Sequence, residues 1–375
     1  METTKKLKTG QKKGRKGGVL PHARLASVRA AIMPRSPQND PLLSELIRGL
    51  EKVRTKRGAF IAAPSHDYNA CWMRDQLYAN FAYFYTGDRE KFSEGLRVVF
   101  DILYKSRAKI ERAVCHPPRY THDFIHAKFH PHELSEITND WGHHQLDAIG
   151  LFLYMVALAE RHGIRILTNT DDRNLIQLLV FYLNSVRYFE LPDNGMWEEG
   201  VDLHTSSIGA VAQGLIDIQK QGLALVPDAL IRVGIERLYE ILPNESPCRP
   251  VDMAQLSLIW PYRVVPDEIA DIILRRVTDM LVQSNGLNRY LDDNYYRSDN
   301  GISAEWPMGF FWLSIIYAER DDMNAARAWF SRGMQTATEH GHLPELFQNG
   351  LPNGNTPLSW THSLATIALT KLSWK

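Results

Sequence analysis

The 375-residue sequence predicts an all-α protein built as a ring of six antiparallel helix pairs, on three observations. From residue 40 onward apolar residues recur at intervals of three and four, the period of an amphipathic helix, in about a dozen segments. Alternating β-type text is scarce, and its best stretch, residues 288–296, is expected to form a short hairpin or a loop at most. Tryptophan, paired charges and glycine gather before or at the start of every second helix, while the helices between have no such openings.

The periodic segments begin near Pro41, Arg74, Glu90, Asn139, Asp171, Ser206, Pro227, Asp252, Pro266, Trp306, Asp322 and Pro357. Asp171, Ser206, Asp252 and Asp322 are predicted N-caps, because a short polar side chain can accept the unpaired N–H groups of a first turn. Pro227, Pro266 and Pro357 stand where a missing N–H costs nothing. The distinctive openings are Trp72-Met73-Arg74-Asp75, Asn139-Asp140-Trp141-Gly142, Trp197-Glu198-Glu199-Gly200, Glu305-Trp306-Pro307 and the stretch from Glu345 to Trp360. With alternate helices in an inner and an outer ring, these starts converge on one end.

Lys plus Arg and Asp plus Glu both total 43, which removes the general electrostatic argument for a nucleic-acid partner. The balance hides an asymmetry: residues 1–29 hold nine Lys or Arg against one Glu, so a basic tail precedes an acidic body. Residues 1–39 are read as a disordered tail and connector, and residues 40–375 as one domain. No run approaches the roughly 18 apolar residues of a membrane helix, and the first residues lack the apolar core of a secretory signal. Three widely spaced cysteines support no disulfide framework, so a reducing cytoplasm is the expected compartment. No glycine-rich phosphate loop, nucleophile elbow or kinase signature is present, and no cofactor is expected. Seven histidines lie between His116 and His144, with His122, His126 and His130 four residues apart. Pro117, Pro118 and Pro131 break the helix that spacing would need, and no metal site is expected. The sequence specifies no oligomeric state.

Glu198 and Glu199 share a turn-rich loop with Trp197. A solvated acidic pair is one reading. The other is that burial against an indole and repulsion from its neighbour keep one carboxyl protonated, fit to act as a general acid. Glu345, in the apolar text LPELF, is the second candidate carboxylate; two carboxyls facing across a cleft suit glycoside cleavage. Trp72, Trp141, Trp197, Trp306 and Trp360 offer flat faces for sugar rings, or pack helix ends. Arg74 and Asp75 read as a clamp for vicinal hydroxyls or as a structural ion pair. Gln145 and Asp147, one turn into their predicted helix, and Arg289 complete the candidate substrate contacts.

These residues lie in NDWGHHQLDAIGLFLY, GIRILTNTDDRNLIQLLVFYLNSV, GMWEEGVDLHTSSIGAVAQGL, NRYLDDNYY, EWPMGFFW, LPELF and PLSWTHSLA. In that order they resemble glycoside hydrolase family 15, the glucoamylase family, and most of all the glucoamylase-like domain of phosphorylase kinase α and β regulatory subunits. The resemblance implies an (α/α)6 barrel from about residue 40 to the C-terminus, with Glu198 as general acid and Glu345 as general base. It implies that Arg74 and Asp75 grip the non-reducing sugar, that Trp141 stacks on it, and that Arg289 lies near the leaving-group site. Glu199 stands where hydrolases hold a second carboxylate and kinase subunits usually carry Arg. The implied function is an inverting, exo-acting hydrolase of α-linked glucosides; the alternative is a catalytically silent glucan-binding regulatory module. A related chemistry on another α-linked sugar, such as trehalose or an α-uronide, remains open. The expected partner is an α-glucan or oligosaccharide, and without a recognisable starch-binding module tight binding to granular starch is not expected.

Overall fold

The computed structural model describes residues 40–138 and 141–373. The predicted basic tail and the Asn139-Asp140 pair lie outside the described residues.

Among the described residues thirteen α-helices follow in chain order: α1 (Pro41–Glu51), α2 (Met73–Thr86), α3 (Arg89–Lys105), α4 (Arg107–Cys115), α5 (Leu146–Arg161), α6 (Thr170–Ser185), α7 (Thr205–Lys220), α8 (Asp228–Ile241), α9 (Leu256–Ile259), α10 (Asp267–Met280), α11 (Met308–Glu319), α12 (Met323–Met334) and α13 (Ser359–Ser373). The inner ring is α2, α5, α7, α9, α11 and α13, each packed on the next, with α13 returning to α2 to close the circle. Outside it α3 backs α2, α8 backs α7, α10 backs α9, α12 backs α11 and α1 backs α13, while α6 packs on α3 and α4. This is the expected (α/α)6 barrel.

Burial separates the rings. Every residue of α2 from Met73 to Phe84 is buried, whereas α10 buries only Ala270, Ile273, Leu274 and Val277, one stripe at helical spacing. Neighbouring inner helices approach closely where glycine permits: a Cβ on Gly150 of α5 would lie 2.5 Å from backbone atoms of Ala210 and Val211 on α7.

Four sequence expectations need correction. Helix α4 was not separately predicted. The segment at Asp252 is a 3-10 turn (Met253–Gln255) and the four-residue α9, ended at Trp260 because Pro261 has no N–H to continue the ladder. Asp252 and Asp322 do cap, accepting from the Ala254 and Ala325 amides, but α6 is capped by Asn169 and α7 follows His204, so Asp171 and Ser206 lie inside first turns. Helix α5 starts at Leu146 rather than near residue 139, making Gln145 its N-cap and placing Asp147 in its first turn. Residues 288–296 form a loop with one isolated bridge, from Tyr290 to Asp252. The strands are two-residue pairs: β1 (Cys71–Trp72) with β2 (Lys128–Phe129), and β3 (Phe347–Gln348) with β4 (Leu351–Pro352).

Candidate active site

The starts of α2 and α5 and the loop before α7 meet at Arg74, in the first turn of α2. Its side chain is 1% exposed, with Nε donating to Asp147 Oδ2 at 2.6 Å and Nη2 to Asp147 Oδ1 at 3.2 Å. Nη2 also donates to Gln145 Oε1 at 2.7 Å and to the Gly195 carbonyl at 3.0 Å, and Nη1 points to Glu198 Oε1 at 3.4 Å. One guanidinium therefore ties α2, the start of α5 and the loop before α7 together. The ion pair of Arg74 is with Asp147, not with its sequence neighbour Asp75, and Gln145 and Asp147 both face Arg74.

Glu198 sits on the loop between α6 and α7 with φ +64°, a conformation a non-glycine residue holds only where its surroundings fix it. Its carboxyl receives the Trp72 Nε1–H at 3.2 Å besides Arg74. Burial is the largest influence on its acidity; against the opposing pull of Arg74, and helped by the nearby charge of Asp75, it pushes Glu198 up to about 8. The group is then mainly protonated at neutral pH. Asp75, 9% exposed, is itself pushed up to about 6 by burial, and it feels Glu345 as well as Arg74. It thus lies within electrostatic reach of both carboxyls.

Glu345 is 2% exposed and accepts three hydrogen bonds, from Tyr68 Oη at 2.7 Å and from Asn353 Nδ2 and Asn355 Nδ2 at 2.6 Å each. Burial raises its pKa, while those donors and the charge of Arg289 act the other way. Tyr68 and Trp72, with ring centroids 5.5 Å apart, each hold one of the two carboxyls.

The tryptophans divide. Trp141 is half-buried, edge-on to Trp72 at 6.1 Å. Lys128, opposite Trp72 in the β1–β2 pair, places its Nζ 4.4 Å from the Trp72 ring, and burial holds its pKa below the ordinary lysine range. Trp197, Trp306 and Trp360 form a buried floor, with Trp197 donating its indole N–H to Asp252 at 2.8 Å. Trp360 is stacked on Tyr78 at 4.5 Å and lies beside Trp197 at 6.2 Å, so its expected open ring face is taken by protein. Arg289 covers Trp306 at 4.9 Å. Among the described residues the indole N–H groups of Trp306 and Trp360 have no hydrogen-bond partner.

Glu199 turns the other way, onto Arg289 and the Tyr290 hydroxyl, with Arg249 at 3.7 Å. Arg289 is 3% exposed and forked on Asp293, with both oxygens at 2.7 Å. Sequence reasoning missed Tyr68, Asn353, Asn355, Lys128, Asp252 and Asp293. Asn353 and Asn355 carried a signal, two amides in the turn text NGLPNGN just after Glu345; Tyr68 carried none, because its partner is 277 positions away.

Residues 40–221 match the model of Glycosyl hydrolases family 15. The resemblance to that family holds. The liver isoform of Phosphorylase b kinase regulatory subunit alpha from Mus musculus is 27% identical over 310 residues, 68% of this chain and 25% of its own length. The chain thus spans about a quarter of the curated relative it matches. Among solved structures, a wild-type glycosidase superposes with a TM-score of 0.73 at 21% identity, covering 88% of this chain and 97% of that one. A bacterial glucoamylase complexed with acarbose gives 0.65 at 15%, covering 90% and 56%. These likenesses establish a glucoamylase-like fold. Among the described residues no helix is long and apolar enough to cross a membrane.

Proposed function

We propose that this family 15-like barrel is an inverting, exo-acting glycoside hydrolase of α-linked glucosides, with Glu198 as general acid and Glu345 as general base. The observation that carries this reading is the contrast between the two carboxyls. Burial and the neighbouring charge of Asp75 push Glu198 up to about 8 against the pull of Arg74, whereas Glu345, also raised by burial, accepts on both oxygens from three neutral donors that favour its ionised form. Glu198 gives its proton to the glycosidic oxygen as the bond to C1 breaks. Glu345 takes a proton from the water that attacks C1 from the opposite face. The assigned leaving side is where Glu199 and Arg289 pair, and Trp141 is the ring free enough to stack on a sugar.

A second reading, a glucan-binding module without turnover, is favoured by one observation: the curated relative is a kinase regulatory subunit. Turnover separates the two. Purified protein should release β-glucose from maltose or isomaltose, followed by polarimetry, and Glu198→Gln and Glu345→Gln should each lower the rate by about 10² or more. Saturable binding across a panel of α-glucosides without product would overturn the hydrolytic reading.

A further inference from the structure

Beneath the loop that carries Glu198 lies a buried charged pair with no part in the chemistry above. His204, just before α7, has a side chain 3% exposed, and its Nδ1 lies 3.4 Å from Glu245 Oε1, itself 1% exposed. Glu245 is anchored on the first turn of α7. It accepts from Thr205 Oγ1 at 2.7 Å, the Ser206 amide at 3.2 Å and Ser206 Oγ at 2.5 Å, where the helix dipole favours an anion. Acidic groups face His204 from each side: Glu245 from the loop after α8, Asp193 and Asp202 from the Glu198 loop, and Asp252 from the turn before α9. Their combined pull outweighs burial and raises His204 to about 9.

The other edge of the ring bears on Gly195. A Cβ there would fall 2.7 Å from His204 Cδ2 and 2.8 Å from Nε2, so only glycine, at φ +60°, lets the ring press on the backbone. The Gly195 carbonyl receives Arg74 Nη2 at 3.0 Å, and the same guanidinium reaches Glu198 at 3.4 Å. A continuous run of contacts therefore joins Glu245, His204, Gly195, Arg74 and Glu198.

Resting on the hydrolytic reading above, we propose that His204 is a positioning residue: held by Glu245, it wedges Gly195 against Arg74 and so keeps the Glu198 carboxyl aimed at the leaving oxygen. His204 touches no substrate. The function it serves is protonation of the leaving group, which makes it separable from a general structural role.

The separation uses two leaving groups. Maltose needs a proton on the departing oxygen. α-Glucosyl fluoride loses fluoride as the water oxygen joins C1, needing little acid assistance, while Glu345 still takes the water's proton. In His204→Gln, kcat on maltose should fall about 10- to 100-fold with KM changed less than about threefold, and kcat on the fluoride should fall less than about threefold. Glu245→Asp, which keeps the charge but shortens its reach, should give the same pattern more weakly and serves if His204→Gln does not fold. Equal losses on both substrates, or none on maltose, overturn the positioning role while leaving the hydrolytic reading intact. A wild-type protein silent on both substrates overturns the two together.

Discussion

Replacing Glu198 by Gln should stabilise the protein while removing its activity. A carboxyl raised from 4.5 to about 8 by burial is a folding penalty at neutral pH, because the unfolded chain ionises it freely and the folded one does not. The penalty is absent below pH 4.5, grows as pH rises and levels off above about 8. At pH 7 the unfolded group is ionised over protonated by a ratio of about 300 and the folded one by about 0.1, a difference of about 3 kcal/mol. Glutamine removes the ionisation cost, but its single carbonyl can accept from only one of the two donors, Trp72 and Arg74, so the full difference is an upper bound on the gain. With an unfolding entropy of about 2.1 cal/mol/K per residue over about 330 residues, that bound corresponds to roughly 4 °C in Tm. Thermal melts of wild type and Glu198→Gln at pH 4 and pH 7.5 should show a higher Tm for the variant only at the higher pH. Equal melting at pH 7.5, or the same gain at pH 4, would refute the assignment of a buried, protonated acid.

Three other outcomes follow from the geometry. The pH profile of kcat/KM on maltose should be bell-shaped, with its alkaline limb near pH 8 set by Glu198; in Trp72→Phe, which deletes a hydrogen bond that lowers that pKa, the limb should move to higher pH and kcat should fall, measured as initial rates from pH 4 to 10. Asp147→Ala leaves Arg74 buried without its forked partner and should cost about 3–5 kcal/mol in urea unfolding, with loss of activity below the denaturing range. Gly150→Ala forces a Cβ to within 2.5 Å of the α7 backbone and should destabilise by about 1–3 kcal/mol with a normal pH profile in whatever folds.

Much of the site was legible because its residues announce themselves chemically. A Trp beside two glutamates in a turn-rich loop, and a lone Glu in apolar text, are unusual placements for carboxylates, and both carboxyls lie at the same end of the barrel. Roles within the site were less legible. Arg74 and Asp75 are adjacent in sequence, yet the partner of Arg74 is Asp147, because on α2 consecutive side chains point in different directions and Asp147 is delivered by the neighbouring inner helix. Trp360 reads like the other cleft tryptophans, and only the packing of Tyr78 and Trp197 shows its ring to be part of the floor.

The sequence by itself determined the all-α class, the alternation of helices with and without tryptophan- and charge-bearing openings, and the convergence of the candidate residues on one end of the ring, since helical period and local composition are short-range properties. The tertiary structure alone decided which groups meet. The Tyr68–Glu345 hydrogen bond spans 277 positions and the Trp72–Glu198 bond 126, so whether each carboxyl is buried, charged or protonated depends on neighbours that only closure of the ring brings within reach. Acidity follows from burial and nearby charge in three dimensions, and that is why two glutamates identical in sequence terms face different donors and are assigned opposite tasks.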